Sequence, residues 1–184
     1  MFEAARNFFN KNGYAIFENG ALNIFAVRKH PYQVNTFNDE LHIYWKEGRS
    51  WHGRQYPITT LPGKYWLNNL INPDGAAILK AGQYIDAYTL GKHKGKEALI
   101  QCKNLTVFRD NNRDDNYNFV DEDTGMFGIN IHRAGLFSHF VNSWSAGCQV
   151  FQREDQFKRF MDICKERACF SGGFFTYTLI EGTI

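Results

Sequence analysis

Apolar positions in this chain recur mostly with the period of two expected of half-buried strands, and only twice with the period of a helix. Over residues 2–11, Phe2, Ala5 and Phe9 share one helical face, and Gly13 is placed to end it. Over residues 154–167, Phe157, Phe160, Met161 and Cys164 fall at i, i+3, i+4 and i+7, with Glu154 and Asp155 putting negative charge at the N-terminal end. Between the helices the strand signals dominate. Residues 14–17 and 22–27 flank Asn19-Gly20, which predicts a hairpin. Residues 33–37 and 41–46 flank a turn at Asn38-Asp39; Leu41, Ile43 and Trp45 share one face against His42 and Tyr44. Residues 98–101, 105–109 and 174–180 read as further strands. Residues 47–63 are rich in glycine and proline and predict loop, Asn72-Pro73-Asp74-Gly75 predicts a turn, and the polar tract 110–118 a surface loop. The pattern amounts to about eight to ten strands and two helices. It describes a single β-rich α+β domain over 1–184: a mixed sheet or β-sandwich with an N-terminal helix and another helix after Cys148.

Composition narrows the function classes. At 184 residues the chain can bury a real core, and its 43% hydrophobic and 22% charged content is that of a globular protein. A net charge of +2 with no Lys/Arg cluster lacks the basic face that nucleic acid requires. No run approaches membrane-spanning length. The N-terminus has neither a basic n-region nor an apolar h-region, which predicts a polypeptide that stays cytosolic as made unless it is delivered elsewhere. The four cysteines form no CxxC pair and do not call for disulfides. Cys102, in an apolar strand pattern, and Cys164, on the helical stripe, read as core thiols.

Cys148 stands apart. In residues 125–151, Met126, Phe127, Ile129 and Ile131 predict a short apolar strand with His132 at its end. Twelve residues separate His132 from Ser145-Ala146-Gly147-Cys148, which is followed by apolar Val150 and Phe151. An imidazole that takes a thiol's proton creates the nucleophile, and small residues let the backbone approach a substrate with amides turned toward a developing oxyanion. A buried thiol by a tight turn and a hydrogen-bonded strand-end histidine are the plainer readings of either residue alone. His132, His139 and Cys148 match no familiar zinc spacing, so neither metal nor cofactor is expected.

Ile129-Asn130-Ile131-His132 followed by Ser145-Ala146-Gly147-Cys148 resembles the active-site signature of L,D-transpeptidase (YkuD-like) catalytic domains, and residues 57–65 are similar to that family's threonine-proline-glycine segment. The resemblance covers roughly residues 35–152. It implies a sandwich-like fold and a thioester-forming cysteine acting on peptidoglycan stem peptides, by transfer or hydrolysis. Carried over, Cys148 is the nucleophile, His132 the base, the Arg133 carbonyl its orienter, and the Gly147 and Cys148 amides the oxyanion site. Ser145, Trp144, Gln149 and Arg113, with Arg109 nearby, are the expected substrate contacts. The chain departs from the family pattern at Ala146, where a second histidine is usual, and at Val150, where a polar residue is common. The His-to-Cys interval is also short.

Papain-like peptidases place cysteine before histidine, the reverse of the order here. Sortases share this order and need a later arginine, for which Arg153 is available. A cell-wall-binding or structural virion or secretion-apparatus module is the non-enzymatic alternative. An enzyme made in the cytosol would reach the wall only by delivery, for example as a phage lysis or virion-associated protein.

Overall fold

The computed structural model describes residues 2–183. Helix α1 (Phe2–Asn12) precedes strands β1 (Asn23–Arg28), β2 (Asp39–Glu47) and β3 (Ser50–Thr59), then the short helix α2 (Lys64–Asn68). Strands β4 (Ala76–Leu79), β5 (Gly82–His93), β6 (Lys96–Gln101), β7 (Leu105–Asp110) and β8 (Glu122–Gly125) follow. Two three-residue strands, β9 (Ile131–Arg133) and β10 (Gln149–Phe151), lead into α3 (Glu154–Arg167), and a 3-10 turn connects this to β11 (Phe174–Glu181). Eight strands close into a barrel in the order β1-β11-β5-β6-β9-β10-β3-β2, while β4, β7 and β8 form a separate three-stranded sheet. The barrel is mixed: β1–β11 and β9–β10 are parallel and the other pairs antiparallel. The β-rich α+β class is therefore as expected, but the larger sheet is a closed barrel rather than half of a sandwich.

Alternation explains how the barrel fills. Ile24 and Ala26 of β1 join Leu41, Ile43, Ile58, Leu99, Ile131, Phe151 and Tyr177 in one core, while Phe25 and Val27 face outward under Ala5 and Phe9 of α1. Both faces of β1 are thus covered, and all six residues are buried. Helix α3 lays its stripe of Phe157, Phe160, Met161 and Cys164 on the barrel, where Phe151 meets both phenylalanine rings at 5.0–5.2 Å. The three-stranded sheet adds Ala77, Leu79, Leu105 and Val107 to the same core.

Several local expectations are corrected. Residues 14–17 form no strand, because the Asn23 carboxamide makes the two bonds to Phe17 that a strand partner would have made, at 2.8 Å each. Residues 33–37 turn instead of extending; Asn35 adopts a left-handed backbone (φ 66). The tract 47–63 is mostly β3, a long partner of β2, with Gly53 lying where any Cβ would strike the Tyr44 ring. Residues 126–130 are irregular, since the amides of Phe127 and Ile129 are captured by the Gln101 side chain, and His132 sits in the middle of β9 rather than at a strand end. Cys102 follows β6, only partly buried, with its thiol 3.4 Å from the Asp86 carbonyl; Cys169 is exposed, and Cys164 alone of the four is a core thiol. β4 and β5 carried no sequence expectation at all.

One buried cation joins the barrel to the small sheet. Arg28 is fully buried; its Nε donates to Thr60 Oγ1 at 2.9 Å, and its terminal nitrogens reach the Thr60 and Leu79 carbonyls and Glu181. Asp39, raised above the usual carboxylate range by burial, accepts from the amides of Lys29 and Thr60 beside it. Arg28→Met removes the guanidinium donors from Thr60, Leu79 and Glu181 and leaves buried Asp39 without its neighbouring cation. It should cost about 3–5 kcal/mol, read as a lowered urea midpoint at unchanged m.

Candidate functional site

Strands β9 and β10 carry the site. Their parallel register pairs Ile131 with Gln149, His132 with Val150 and Arg133 with Phe151. Ile131 and Phe151 point into the barrel, so alternation turns His132, Val150 and Ala134 to the outer face. Cys148, two residues before Val150, packs against the same outer cluster. The thiol and the imidazole therefore share one face of the sheet, displaced by two positions on neighbouring strands.

The imidazole is set up as an acceptor. His132 Nδ1 lies 2.9 Å from the Arg133 carbonyl oxygen, which can only accept, so Nδ1 carries the proton and Nε2 presents a lone pair. Nε2 is buried and has no hydrogen-bond partner among the described residues. Burial pulls the imidazole down to about 4, against the Arg133 carbonyl and with a smaller contribution from His93. His93 stacks on it at 4.5 Å with the rings inclined by 16°.

The thiol is held elsewhere. Cys148 Sγ lies 3.4 Å from both the Gly128 carbonyl, to which it donates, and the Asn130 amide, from which it accepts. Although the residue keeps some contact with solvent, burial of the sulfur pushes the thiol up to about 11; the Asn130 amide pulls the other way. No thiol–imidazole hydrogen bond is formed, and at neutral pH both groups are uncharged.

The turn before Cys148 is tightly built. Gly147 has φ +127, and a Cβ there would sit 2.5 Å from the Ala77 carbonyl oxygen, so only glycine fits. Ser145 Oγ accepts from the Gly147 amide at 3.1 Å and donates to the Cys148 carbonyl at 2.8 Å. The Pro62-Gly63 segment braces the loop from the other side: the Gly63 amide donates to the Ser145 carbonyl, and Gly63 abuts Asn142 too closely for any side chain.

This arrangement revises the expected site. The Gly147 amide is taken up by Ser145, so of the two amides expected to face an oxyanion only that of Cys148 is not engaged by Ser145. Ser145 is fully buried and structural rather than a substrate contact. Gln149 is also fully buried, its side chain spanning Tyr177 and the Gly147 carbonyl inside the barrel, and so cannot meet a substrate. Arg113 is exposed on the 110–118 loop, which is anchored to α2 through Lys64–Asp115; no contact links it to His132 or Cys148. Arg109 is spent on Asp123. Arg153, which a sortase-like site would use, pairs with Asp155 at the start of α3. His139 is exposed, edge-on to Phe137, and no metal-binding group of three side chains occurs among the described residues. Trp144, half-exposed, does border the site: with His132, Arg133, Ala134, Ser143 and the β5–β6 turn it walls a cavity of about 250 Å³.

No protein-family model, curated protein or solved structure matches this chain. The chemistry of the site thus rests on its own geometry.

Sequence reasoning gave no role to His93, Lys94 or Asn130, which the structure places beside His132 and Cys148. His93 ends a strand that was not foreseen, and Lys94-Gly95, both at positive φ, form the two-residue link to β6. A Gly-containing pair between apolar alternations was the available signal.

Two measurements check the uncharged pair. With its thiol near 11, Cys148 should be alkylated by iodoacetamide at least about tenfold more slowly than exposed Cys169 at pH 7.5, its rate rising about tenfold per pH unit, read by peptide mass spectrometry. The histidine acts through stability. Its folded value, near 4, lies below the ordinary 6.5, so the unfolded chain takes the proton first. Stability is full above pH 6.5 and is lost as pH falls toward 4, by about 3 kcal/mol. His132→Gln should remove that part of the acid dependence in urea titrations.

Proposed function

We propose that this protein is a cysteine acyl transferase or hydrolase of the L,D-transpeptidase kind, acting on peptidoglycan stem peptides through a thioester on Cys148. The observation that carries the reading is the buried, partnerless Nε2 of His132, fixed as a lone-pair acceptor by the Arg133 carbonyl on the same sheet face as the thiol. A buried acceptor without a donor costs about 1–3 kcal/mol, a cost for which a proton-transfer role gives a reason.

The resting pair is neutral, so attack begins with the thiol leaving the Gly128 carbonyl and turning toward Nε2. As Sγ bonds to the substrate carbonyl carbon, its proton passes to Nε2 and the Cys148 amide meets the oxyanion. The C–N bond then breaks, the amine leaves with that proton, and the thioester remains. Water or an acceptor amine, deprotonated in turn by His132, releases the acyl group as acid or cross-link. Arg133 contributes through its carbonyl alone, since its guanidinium is paired with Glu154 at 2.7 Å.

A cell-wall-binding module is the second reading, favoured by the cavity beside His132, which a ligand could fill without reaction. For either reading the place of action is the cell wall. No helix among the described residues is long and apolar enough to cross a membrane.

Incubation with disaccharide-peptide fragments separates the two. The enzyme reading predicts cleaved or exchanged fragments and an acyl adduct on Cys148, both abolished in Cys148→Ala and reduced at least about 100-fold in His132→Gln, by mass spectrometry. Unchanged fragments bound equally by wild type and Cys148→Ala would favour the binding module.

A further inference from the structure

The cavity beside His132 carries unbalanced charge. Of the groups that wall it, Glu97 is paired with Lys165 at 2.6 Å and Arg133 with Glu154 at 2.7 Å, whereas Lys94 and Lys96 have no carboxylate partner among the described residues. Lys94 is also held in place. It and Gly95 have φ of 49 and 79, the two left-handed residues of a tight β5–β6 hairpin turn, so the side chain starts from a fixed backbone next to His93. Its charge is felt at His93, His132 and Cys148 alike, lowering the proton affinity of each.

His93, which lines the same cavity, has an unshared donor. Asn130 Oδ1 accepts the Gln101 amide at 2.9 Å, which orients the carboxamide and leaves its NH2 facing His93. Asn130 Nδ2 donates to His93 Nδ1 at 3.0 Å. A ring nitrogen that accepts a hydrogen bond carries no proton, so neutral His93 is the Nε2–H tautomer. Nε2 has no partner among the described residues, and the ring lines the cavity. His93, with its neutral donor, and Lys94, with its ammonium, thus line one cavity with the proposed base and with Trp144.

We infer that this cavity is a binding site for a carboxylate of the substrate, received by His93 Nε2–H and the Lys94 ammonium. The inference rests on the acyl-transfer reading only for whose carboxylate it is: that of the peptide residue flanking the scissile bond. His93 and Lys94 are then specificity residues, and neither exchanges a proton with the reacting atoms.

The test uses the full chain as Cys148→Ala, which cannot turn over, and a short synthetic peptide ending in D-alanine, with either a free C-terminal carboxylate or a C-terminal amide. Calorimetric titration should show the acid binding at least about tenfold more tightly than the amide, as charge-assisted hydrogen bonds require, with the advantage shrinking between 50 and 500 mM salt. Adding Lys94→Gln or His93→Phe should bring the acid to the level of the amide and leave the amide unchanged. Lys103→Gln, which removes a cation beside Asp86 at the far end of β6, should alter neither. Equal binding of acid and amide, or equal weakening of both by Lys94→Gln, would overturn the inference. Selective acid binding by a protein that never forms a thioester would uphold the carboxylate site and sink the acyl-transfer reading instead.

Discussion

Both the barrel and the site hang on the parallel pairing of β9 with β10, two strands of three residues each. On one side this pair meets β6 through Leu99 and Ile131, and on the other it meets β3 through Val150 and Phe151. A one-residue slip would turn Phe151 out to solvent and Cys148 into the core, so the register is strongly specified by what it buries. Phe151 fills the space between Tyr56, Phe157 and Phe160, and Gln149 is pinned from inside the barrel by the Tyr177 hydroxyl. The same alternation that satisfies the core puts the thiol and the imidazole on one outer face. Closure of the fold and assembly of the site are one event.

Burial decides the charge state of that pair. With the thiol near 11 and the imidazole near 4, forming thiolate and imidazolium costs ~9 kcal/mol before their attraction. No hydrogen bond joins the two groups to offset that cost, so the neutral pair wins at rest. On the proposed acyl-transfer reading, the nucleophile is then made as the new bond forms, with the proton moving while charge develops on the substrate oxygen. A positive potential from Lys94 works in the same direction, favouring the anionic sulfur and oxygen. Ala146 and Val150 leave the turn small and apolar, and His93 stacks on His132.

Elements whose partners are local were legible in the sequence. The α3 stripe of Phe157, Phe160, Met161 and Cys164 buries as its spacing predicts, and Leu41, Ile43 and Trp45 share the inward face of β2. Elements whose backbone is satisfied by a distant side chain were not. Asn23 replaces a strand for residues 14–17, Gln101 captures the amides of Phe127 and Ile129, and Asn35 accepts from the amide of Lys64. A carboxamide leaves no periodic trace when it takes over a strand's hydrogen bonds. In the site, the glycine turn before Cys148 was readable because turn chemistry is local, whereas the oxyanion role expected of the Gly147 amide was not, because Ser145 takes that amide. Ser145 and Gln149 were misread as substrate contacts because closure of the barrel buries them completely.

The central claim of the proposal is that His132 is a buried, unprotonated acceptor that serves the Cys148 thiol, and nitrogen NMR of 15N-labelled histidine side chains tests it most directly. At pH 7 the ring of His132 should show a protonated Nδ1 and an unprotonated Nε2, and the Nε2 resonance should move when Cys148 is acylated or replaced by alanine. A proton found on Nε2, or a resonance indifferent to both changes at Cys148, would contradict the account.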